Sequence, residues 1–154
     1  MDISTDLLAQ PDVVMLDLRA DSRETALRTL HARLARRGVV KNADQLLYDL
    51  LERVLLAPVC IAADVALPHA RTDAVDRMVL GVARVLDQGV AFDAEHHFIK
   101  LIFMVGVPKQ QVDEYLQMMA AISRVLRNES VKAGLLTAAT EEEFCALLAR
   151  GARK

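Results

Sequence analysis

Aromatic side chains are scarce in this sequence: they make up 4% of its 154 residues, and tryptophan is absent. Stacking platforms for bases or sugar rings are therefore few, and we expect no direct binding of carbohydrate or of single-stranded nucleic acid. The formal net charge of −2 agrees with this expectation. The most basic stretch, residues 31–38, has the pattern of a solvated helix face rather than of a phosphate-binding stripe. We predict no nucleic-acid partner.

Cysteines are also few, and they carry no motif. Cys60 and Cys145 lie far apart and form no Cys-x-x-Cys pair, so both are interpreted as packing residues. His96 and His97, with Glu95, offer at most an incidental exposed metal contact, because zinc sites take three or four converging ligands. We predict no metal site and no cofactor.

Long hydrophobic runs are absent too. The sequence has no stretch of about 18 uncharged apolar residues, which a membrane-spanning helix needs. Its first ten residues carry acids where a signal peptide carries bases. We therefore expect a cytoplasmic protein without direct membrane insertion.

Aliphatic side chains are abundant in this sequence. Hydrophobic residues make up 53% and charged residues 26% of the chain, which is typical of a globular protein. A chain of this length can bury a core without disulfides or a structural metal. We predict one domain over residues 1–154.

Five segments have apolar residues at helical spacing. The first begins at Asp21 or Ser22 and ends at Gly38; the second begins at Asn42 and ends before Pro58. The predicted buried positions of these two helices are Leu27, Leu30 and Leu34, then Leu46, Leu47, Leu50, Leu51 and Val54. The other three helices are predicted from Val112, around 130–139, and from Thr140 to Leu148.

Strand-like segments alternate with these helices. Residues 13–18, 59–62 and 65–68 are short and rich in β-branched side chains, and 77–86 and 98–108 are apolar enough to be covered on both faces. Residues 69–73, "HARTD", are predicted as a turn or a single helical turn. The pattern indicates an α/β fold: a mixed β-sheet of about five strands flanked by helices on both faces, in a single domain.

The stretch "ALPHART", residues 66–72, contains the strongest candidate for chemistry. Pro68 restricts the backbone before His69, which is predicted at the end of a strand. Arg53 and Arg71 offer guanidinium donors for phosphate oxygens, and Thr72 adds a hydroxyl. In a helical turn, the backbone amides of residues 70–72 would also bind an anion. A phosphoryl group on a nucleophilic imidazole is the chemistry indicated, and the alternative is a histidine that merely hydrogen-bonds to nearby backbone.

Residues 50–93, together with 98–108 and the helix that follows, resemble the type 2 enzyme IIA domain of the bacterial phosphotransferase system, a family with fructose, mannitol and nitrogen-related members. The similarity covers almost the whole chain. Its most specific part is Ala-Leu-Pro-His-Ala-Arg at 66–71, which matches the phosphorylation motif of the family.

The resemblance implies a role for each matching residue. His69 would accept a phosphoryl group from the histidine phosphocarrier protein and pass it to a sugar-specific IIB domain, which makes the chain a phosphotransferase. Arg53 would steady the phosphohistidine, with Arg71 and Thr72 assisting. An apolar docking patch around His69 is also implied, to which Val59, Ile61, Val65 and Ala70 contribute.

The sequence departs from the family pattern at three places. Val54 replaces a glutamate after Arg53, and the segment before Ala66 is apolar and without glycine where the family is rich in glycine, serine and threonine. Tyr115 stands where many members carry a second histidine; its phenol can donate a hydrogen bond to a phosphate oxygen but cannot become cationic.

Two alternatives to sugar transport follow. A nitrogen-related regulatory protein would use the phosphorylation of His69 to control binding to transporters or kinases. An interaction module that is never phosphorylated is the third possibility. The sequence names no sugar.

Overall fold

The computed structural model describes residues 3–153, and these divide into two compact units. One unit is Asp12–Lys109; the other combines residues before and after that range. In chain order the described elements are α1 (Ile3–Ala9), β1 (Val13–Leu18), α2 (Arg23–Arg36), α3 (Ala43–Leu56), β2 (Cys60–Ala62), β3 (Val65–Ala66), β4 (His69–Thr72), β5 (Val79–Val85), β6 (Leu101–Pro108), α4 (Val112–Arg127), α5 (Glu129–Thr137) and α6 (Glu141–Ala152).

The unit Asp12–Lys109 is built around a six-stranded sheet with the order β1-β5-β6-β3-β2, and β4 pairs with β6 off this path. The pairs β1–β5, β3–β6 and β4–β6 are parallel, whereas β5–β6 and β2–β3 are antiparallel. The predicted α/β fold with a mixed sheet is therefore confirmed, with one strand more than expected.

Local sequence explains where α2 and α3 begin. The Ser22 side chain accepts a hydrogen bond from the backbone N–H of Thr25, and the Asn42 side chain accepts one from Gln45, each at 3.1 Å. These bonds satisfy amides that the first turn of a helix leaves without partners. At the end of α2, Gly38 adopts a φ of 73°, which glycine takes without strain.

The two helices bury one side against the sheet. Their leucines form a single aliphatic cluster with side chains from β1, β3, β4, β5 and β6. Each fully buried leucine contributes about 2 kcal/mol of favourable transfer free energy. The helix residues in this cluster are Ala26, Leu27, Leu30, Leu34, Leu46, Leu50 and Val54. Leu47 and Leu51, also predicted as buried, are half-buried.

Gly106 allows α3 to approach the sheet closely. A Cβ atom at this position would lie 3.1 Å from both Leu46 Cδ1 and Val79 Cγ2, which is tighter than ordinary van der Waals contact. Gly106 is the register partner of Ala70 in β4. The missing side chain thus brings α3 near β4 and β6, on which the candidate site is built.

The prediction of a turn or helical turn at residues 69–73 is wrong. His69–Thr72 forms β4, in parallel register with Val105–Pro108 of β6. Local composition permits a turn here, but pairing with a buried central strand decides the conformation. His69 therefore begins a strand rather than following one. Because the backbone forms a β-ladder, the predicted anion site on helix N-terminal amides is also wrong.

The second unit is helical. Within it α1 packs on α4 and α6, and α5 packs on α4 and α6. At the start of α6 the Thr140 side chain accepts the N–H of Glu143 at 3.1 Å, and the Glu143 carboxylate accepts the N–H of Ala139 at 3.3 Å. The sequence pattern predicted α4, α5 and α6 but not α1, whose buried residues are Ser4, Leu7 and Leu8.

Among the described residues, no helix combines the length and apolar character needed to cross a membrane.

Candidate active site

His69 is the first residue of β4, and its backbone is held by the sheet. The N–H of Val105, its register partner in β6, donates to the carbonyl of Pro68 at 3.0 Å. The side chain is half-buried. Pro68 restricts the backbone before His69, and pairing with β6 holds the backbone of His69 itself. The imidazole therefore has a defined position.

The imidazole is also fixed in orientation. Its Nδ1 lies 2.8 Å from the carbonyl oxygen of Leu67. Because a carbonyl oxygen can only accept, Nδ1 carries the proton in this hydrogen bond. In the neutral ring, the lone pair is therefore on Nε2.

The environment keeps this ring neutral. Burial lowers the pKa of His69 below its ordinary value of 6.5, the hydrogen bond to Leu67 acts in the opposite direction, and the positive charge of Arg53 lowers the pKa further. A neutral imidazole is the nucleophilic form. The site thus holds His69 ready to react at neutral pH.

Arg53 comes from the last turn of α3. Its Nη1 donates to the carbonyl of Ala57 at 3.1 Å, which ties the guanidinium to the chain just beyond the helix. Its charge acts on the His69 ring. The two residues that were predicted as catalytic are therefore near enough to interact electrostatically, and their catalytic role stays a prediction.

Arg71 and Thr72 fall on opposite faces of β4. Arg71 shares a face with His69, because side chains two residues apart in a strand point the same way. It is exposed, and its Nη2 donates to the carbonyl of Lys109 at 3.0 Å.

Thr72 does not meet the expectation for a phosphate-stabilising residue. Its side chain is fully buried, and its hydroxyl accepts the backbone N–H of Ala74 at 3.0 Å. It points to the opposite face of β4 from His69 because the two lie three residues apart. Assigning this hydroxyl to the phosphoryl group is therefore wrong.

The predicted docking patch is largely wrong for a similar reason. Val59, Val65 and Ala70 are buried at 6%, 0% and 4% exposure, and only Ile61 is exposed, at 40%. The exposed apolar side chains of this region are instead Leu55 and Leu56, at 70% and 82%. The signal for them was present in the sequence, since both lie off the buried stripe of α3 and beside Arg53.

Tyr115 lies in the first turn of α4 and is half-buried. Its contribution to phosphoryl transfer stays a prediction. Sequence reasoning also missed the Leu67 carbonyl, because a backbone acceptor leaves no trace in residue type.

Comparisons with known proteins identify the family of this chain. Residues 7–151 match the family "Phosphoenolpyruvate-dependent sugar phosphotransferase system, EIIA 2". The chain is 33% identical over 149 residues to the fructose-specific EIIA component of Haloferax volcanii, covering 96% of this chain and 95% of that protein.

Two solved structures share the fold. The nitrogen regulatory protein IIA-Ntr of Neisseria meningitidis superposes with a TM-score of 0.81 at 20% identity, covering 95% of this chain and 99% of that one. Enzyme IIA-Mtl of Escherichia coli, solved in complex with phosphorylated enzyme IIB-Mtl, gives 0.77 at 22% identity, covering 90% and 95%. The chain therefore belongs to the EIIA 2 family of the phosphoenolpyruvate-dependent sugar phosphotransferase system.

Proposed function

We propose that this protein accepts a phosphoryl group on Nε2 of His69 from the histidine phosphocarrier protein and passes it to a IIB domain. The observation that carries the proposal is the 2.8 Å hydrogen bond between Nδ1 and the Leu67 carbonyl. It assigns the lone pair of the neutral ring to Nε2. The lowered pKa of His69 supports the same reaction, because the ring need not lose a proton first.

The transfer is a displacement at phosphorus. The Nε2 lone pair forms the new N–P bond while the N–P bond to the donor imidazole breaks and leaves its electron pair on that ring. His69 keeps its Nδ1 proton, so the phosphorylated ring is cationic, and the Leu67 carbonyl stabilises that charge. In the onward transfer the N–P bond breaks and its electron pair returns to Nε2, so the ring leaves as neutral imidazole, a good leaving group for a residue that must release the phosphoryl group again.

Arg53 and Arg71 are proposed to neutralise the phosphoryl oxygens. The charge of Arg53 acts at the ring, and Arg71 shares its face of β4. A guanidinium has five N–H donors, and each of these side chains uses one in the hydrogen bonds described above. Both therefore keep donors that could bind oxygen in the transition state.

The partner is expected to be a protein. Leu55 and Leu56 at the end of α3 and Ile61 in β2 are exposed and follow Arg53 closely in the chain; we call these three side chains the α3–β2 surface. Exposed aliphatic side chains around a charged centre suit a protein interface better than a small polar substrate. The complex of IIA-Mtl with phosphorylated IIB-Mtl supports a IIB domain as the acceptor.

The test is a labelling experiment. Incubation with phosphoenolpyruvate, the first enzyme of the system and the phosphocarrier should add the mass of one HPO₃ to the wild-type chain, in an acid-labile bond. His69→Ala should gain nothing, and His97→Ala, which changes an exposed histidine outside the site, should label fully. NMR correlation between phosphorus and the ring nitrogens should place the label on Nε2. The proposal fails if the wild type stays unlabelled while an established EIIA domain is labelled in the same mixture.

A regulatory role is the second candidate, and the similarity to nitrogen regulatory IIA proteins favours it. Phosphorylation would place a dianionic phosphoryl group on a cationic ring, a net change of about one negative charge, and a charge change at an interface can alter affinity for a transporter or kinase. His69→Ala and His69→Asp should then capture different sets of partners in a pull-down. Equal capture by the two variants would contradict a phosphorylation-dependent switch.

A further inference from the structure

Cys60, Asp93 and His96 form a second cluster of reactive side chains. Their ligand atoms, a thiol sulfur, a carboxylate oxygen and a ring nitrogen, all lie within 4.8 Å of one another. Cys60 comes from β2, and the other two come from the loop between β5 and β6. The sequence analysis interpreted Cys60 as a packing residue and grouped His96 with His97 and Glu95 as an incidental contact. It did not single out Asp93, because the convergence of these residues depends on the fold.

The loop is ordered by its own hydrogen bonds. Val90 and Ile99 close it by exchanging backbone bonds of 3.0 and 2.9 Å. Within it, Oδ1 of Asp93 accepts the backbone N–H groups of Glu95 and His96 at 2.9 Å each. The ring Nδ1 of His96 lies 2.7 Å from the same oxygen. Asp93 and His96 are therefore held together on one short loop beside Cys60.

The chemistry of this set is specific. Thiolate and imidazole are ligands of zinc and other late transition metals, whereas magnesium and calcium take oxygen ligands. The three side chains are partly exposed, Asp93 at 27% and His96 at 25%, so an ion and a water molecule can reach them. Three protein ligands with an open fourth position are a common zinc arrangement.

We propose that Cys60, Asp93 and His96 bind one divalent transition-metal ion of the zinc class, with water as the fourth ligand. Zinc–ligand bonds of about 2.0–2.3 Å in a tetrahedron place ligand atoms about 3.5 Å apart. The ligand atoms of the cluster already lie within 4.8 Å of one another. To bind the ion, the sulfur of Cys60 would need to move only slightly relative to the other two ligand atoms, and the 2.7 Å distance between Asp93 Oδ1 and His96 Nδ1 would need to increase slightly. Binding through Nδ1 of His96 moves the ring proton to Nε2 and releases the thiol proton of Cys60 to solvent.

Asp93 supplies the negative charge of this cluster, and a bound cation would stabilise the Cys60 thiolate directly. Arg23 lines the same pocket as Asp93, and its Nη1 donates to the Phe92 carbonyl at 2.8 Å.

Cobalt(II) is the probe, because a cobalt–thiolate bond gives a charge-transfer absorption band that carboxylate and imidazole ligands do not. Titration of the metal-stripped full chain should reach one cobalt per chain with this band present, and zinc should displace it. Cys60→Ser should abolish the band. His96→Gln should weaken cobalt binding by about tenfold or more, since even outer-shell changes at metal sites cost this much.

The chain supplies a matched control for each variant. Cys145 is half-buried like Cys60, and His97 adjoins His96 but is exposed. Cys145→Ser and His97→Gln should therefore bind cobalt as the wild type does. Thermal unfolding without metal checks that each variant folds. If Cys60→Ser does not fold, the cobalt affinity of His96→Gln tests the proposal.

Absence of the thiolate band in the wild type would overturn the proposal. So would a band that survives Cys60→Ser, or unchanged affinity in His96→Gln. In these cases the cluster is a hydrogen-bonded set in which Asp93 accepts from the thiol and from the ring. The experiment is independent of phosphoryl transfer, because no residue of the phosphoryl site takes part.

Discussion

At the scale of single residues, His69 combines a fixed tautomer with a depressed basicity. Both properties come from its immediate surroundings: the Leu67 carbonyl, partial burial and the charge of Arg53. The sequence motif identified the residue, and its spacing from Arg53 along the chain gave no measure of their separation in space. The folded α3 and β4 supply that proximity.

The lowered pKa of His69 has a definite pH dependence. The folded protein binds this proton less readily than the unfolded chain, whose histidine titrates near 6.5. His69 therefore makes the fold less stable as the pH falls below 6.5, and it contributes nothing to the pH dependence well above that value. Nucleophilicity should persist at pH values where an ordinary histidine is already protonated.

Removing the charge of Arg53 should raise the pKa of His69. We expect Arg53→Gln to shift the NMR titration of His69 upward but to leave its midpoint below 6.5, since burial is the larger cause and remains. Arg71→Gln is the matched control, because the charge of Arg71 is not among the causes of the shift. The interpretation is contradicted if Arg53→Gln leaves the titration unchanged, or if both variants shift it equally.

At the scale of elements, α3 has two tasks. It carries Arg53, whose charge lowers the pKa of His69, and in the same last turn it exposes Leu55 and Leu56. Sequence reasoning located this helix well, because its cap at Asn42 and its apolar stripe are local signals. It misjudged β4, whose strand character depends on a partner more than 30 residues away in the chain.

The exposed turn of α3 should govern docking. We expect Leu56→Asp to raise the KM for the phosphocarrier by about tenfold, which corresponds to about 1.4 kcal/mol of lost binding, with little change in kcat. Phe98→Asp is the control, because Phe98 is also exposed, at 60%, and lies just before the first residue of β6. It should leave both constants unchanged. Equal effects of the two substitutions would indicate a general loss of solubility or folding rather than a docking surface.

At the scale of the whole molecule, the family match over residues 7–151 includes residues from both compact units. The fold class and the strongly periodic helices could be predicted from sequence, because apolar spacing reports burial within an element. The burial of three of the four residues in the predicted docking patch could not be predicted from sequence. Val59, Val65 and Ala70 look accessible in a linear motif, yet their exposure depends on how all neighbouring strands and helices pack.

The same reasoning applies to the Cys60, Asp93 and His96 cluster. Its members are unremarkable in sequence, where the cysteine has no partner of its own type nearby. Cys60 lies on β2, and Asp93 and His96 lie on the loop that leads into β6. In the sheet, β3 pairs with β2 on one side and with β6 on the other, which brings β2 and this loop close together. A sheet order that differs from chain order can thus create sites that motif spacing does not predict.

The acceptor that orients His69 is a main-chain oxygen, and this has a consequence for mutational scanning. Every residue type at position 67 supplies that oxygen, so a library of substitutions there would report on packing and would miss the electronic role of the peptide group. Chemical synthesis offers the direct route: a histidine methylated at Nδ1 would lose its bond to Leu67, and a methyl group on Nε2 would instead block the attacking atom itself.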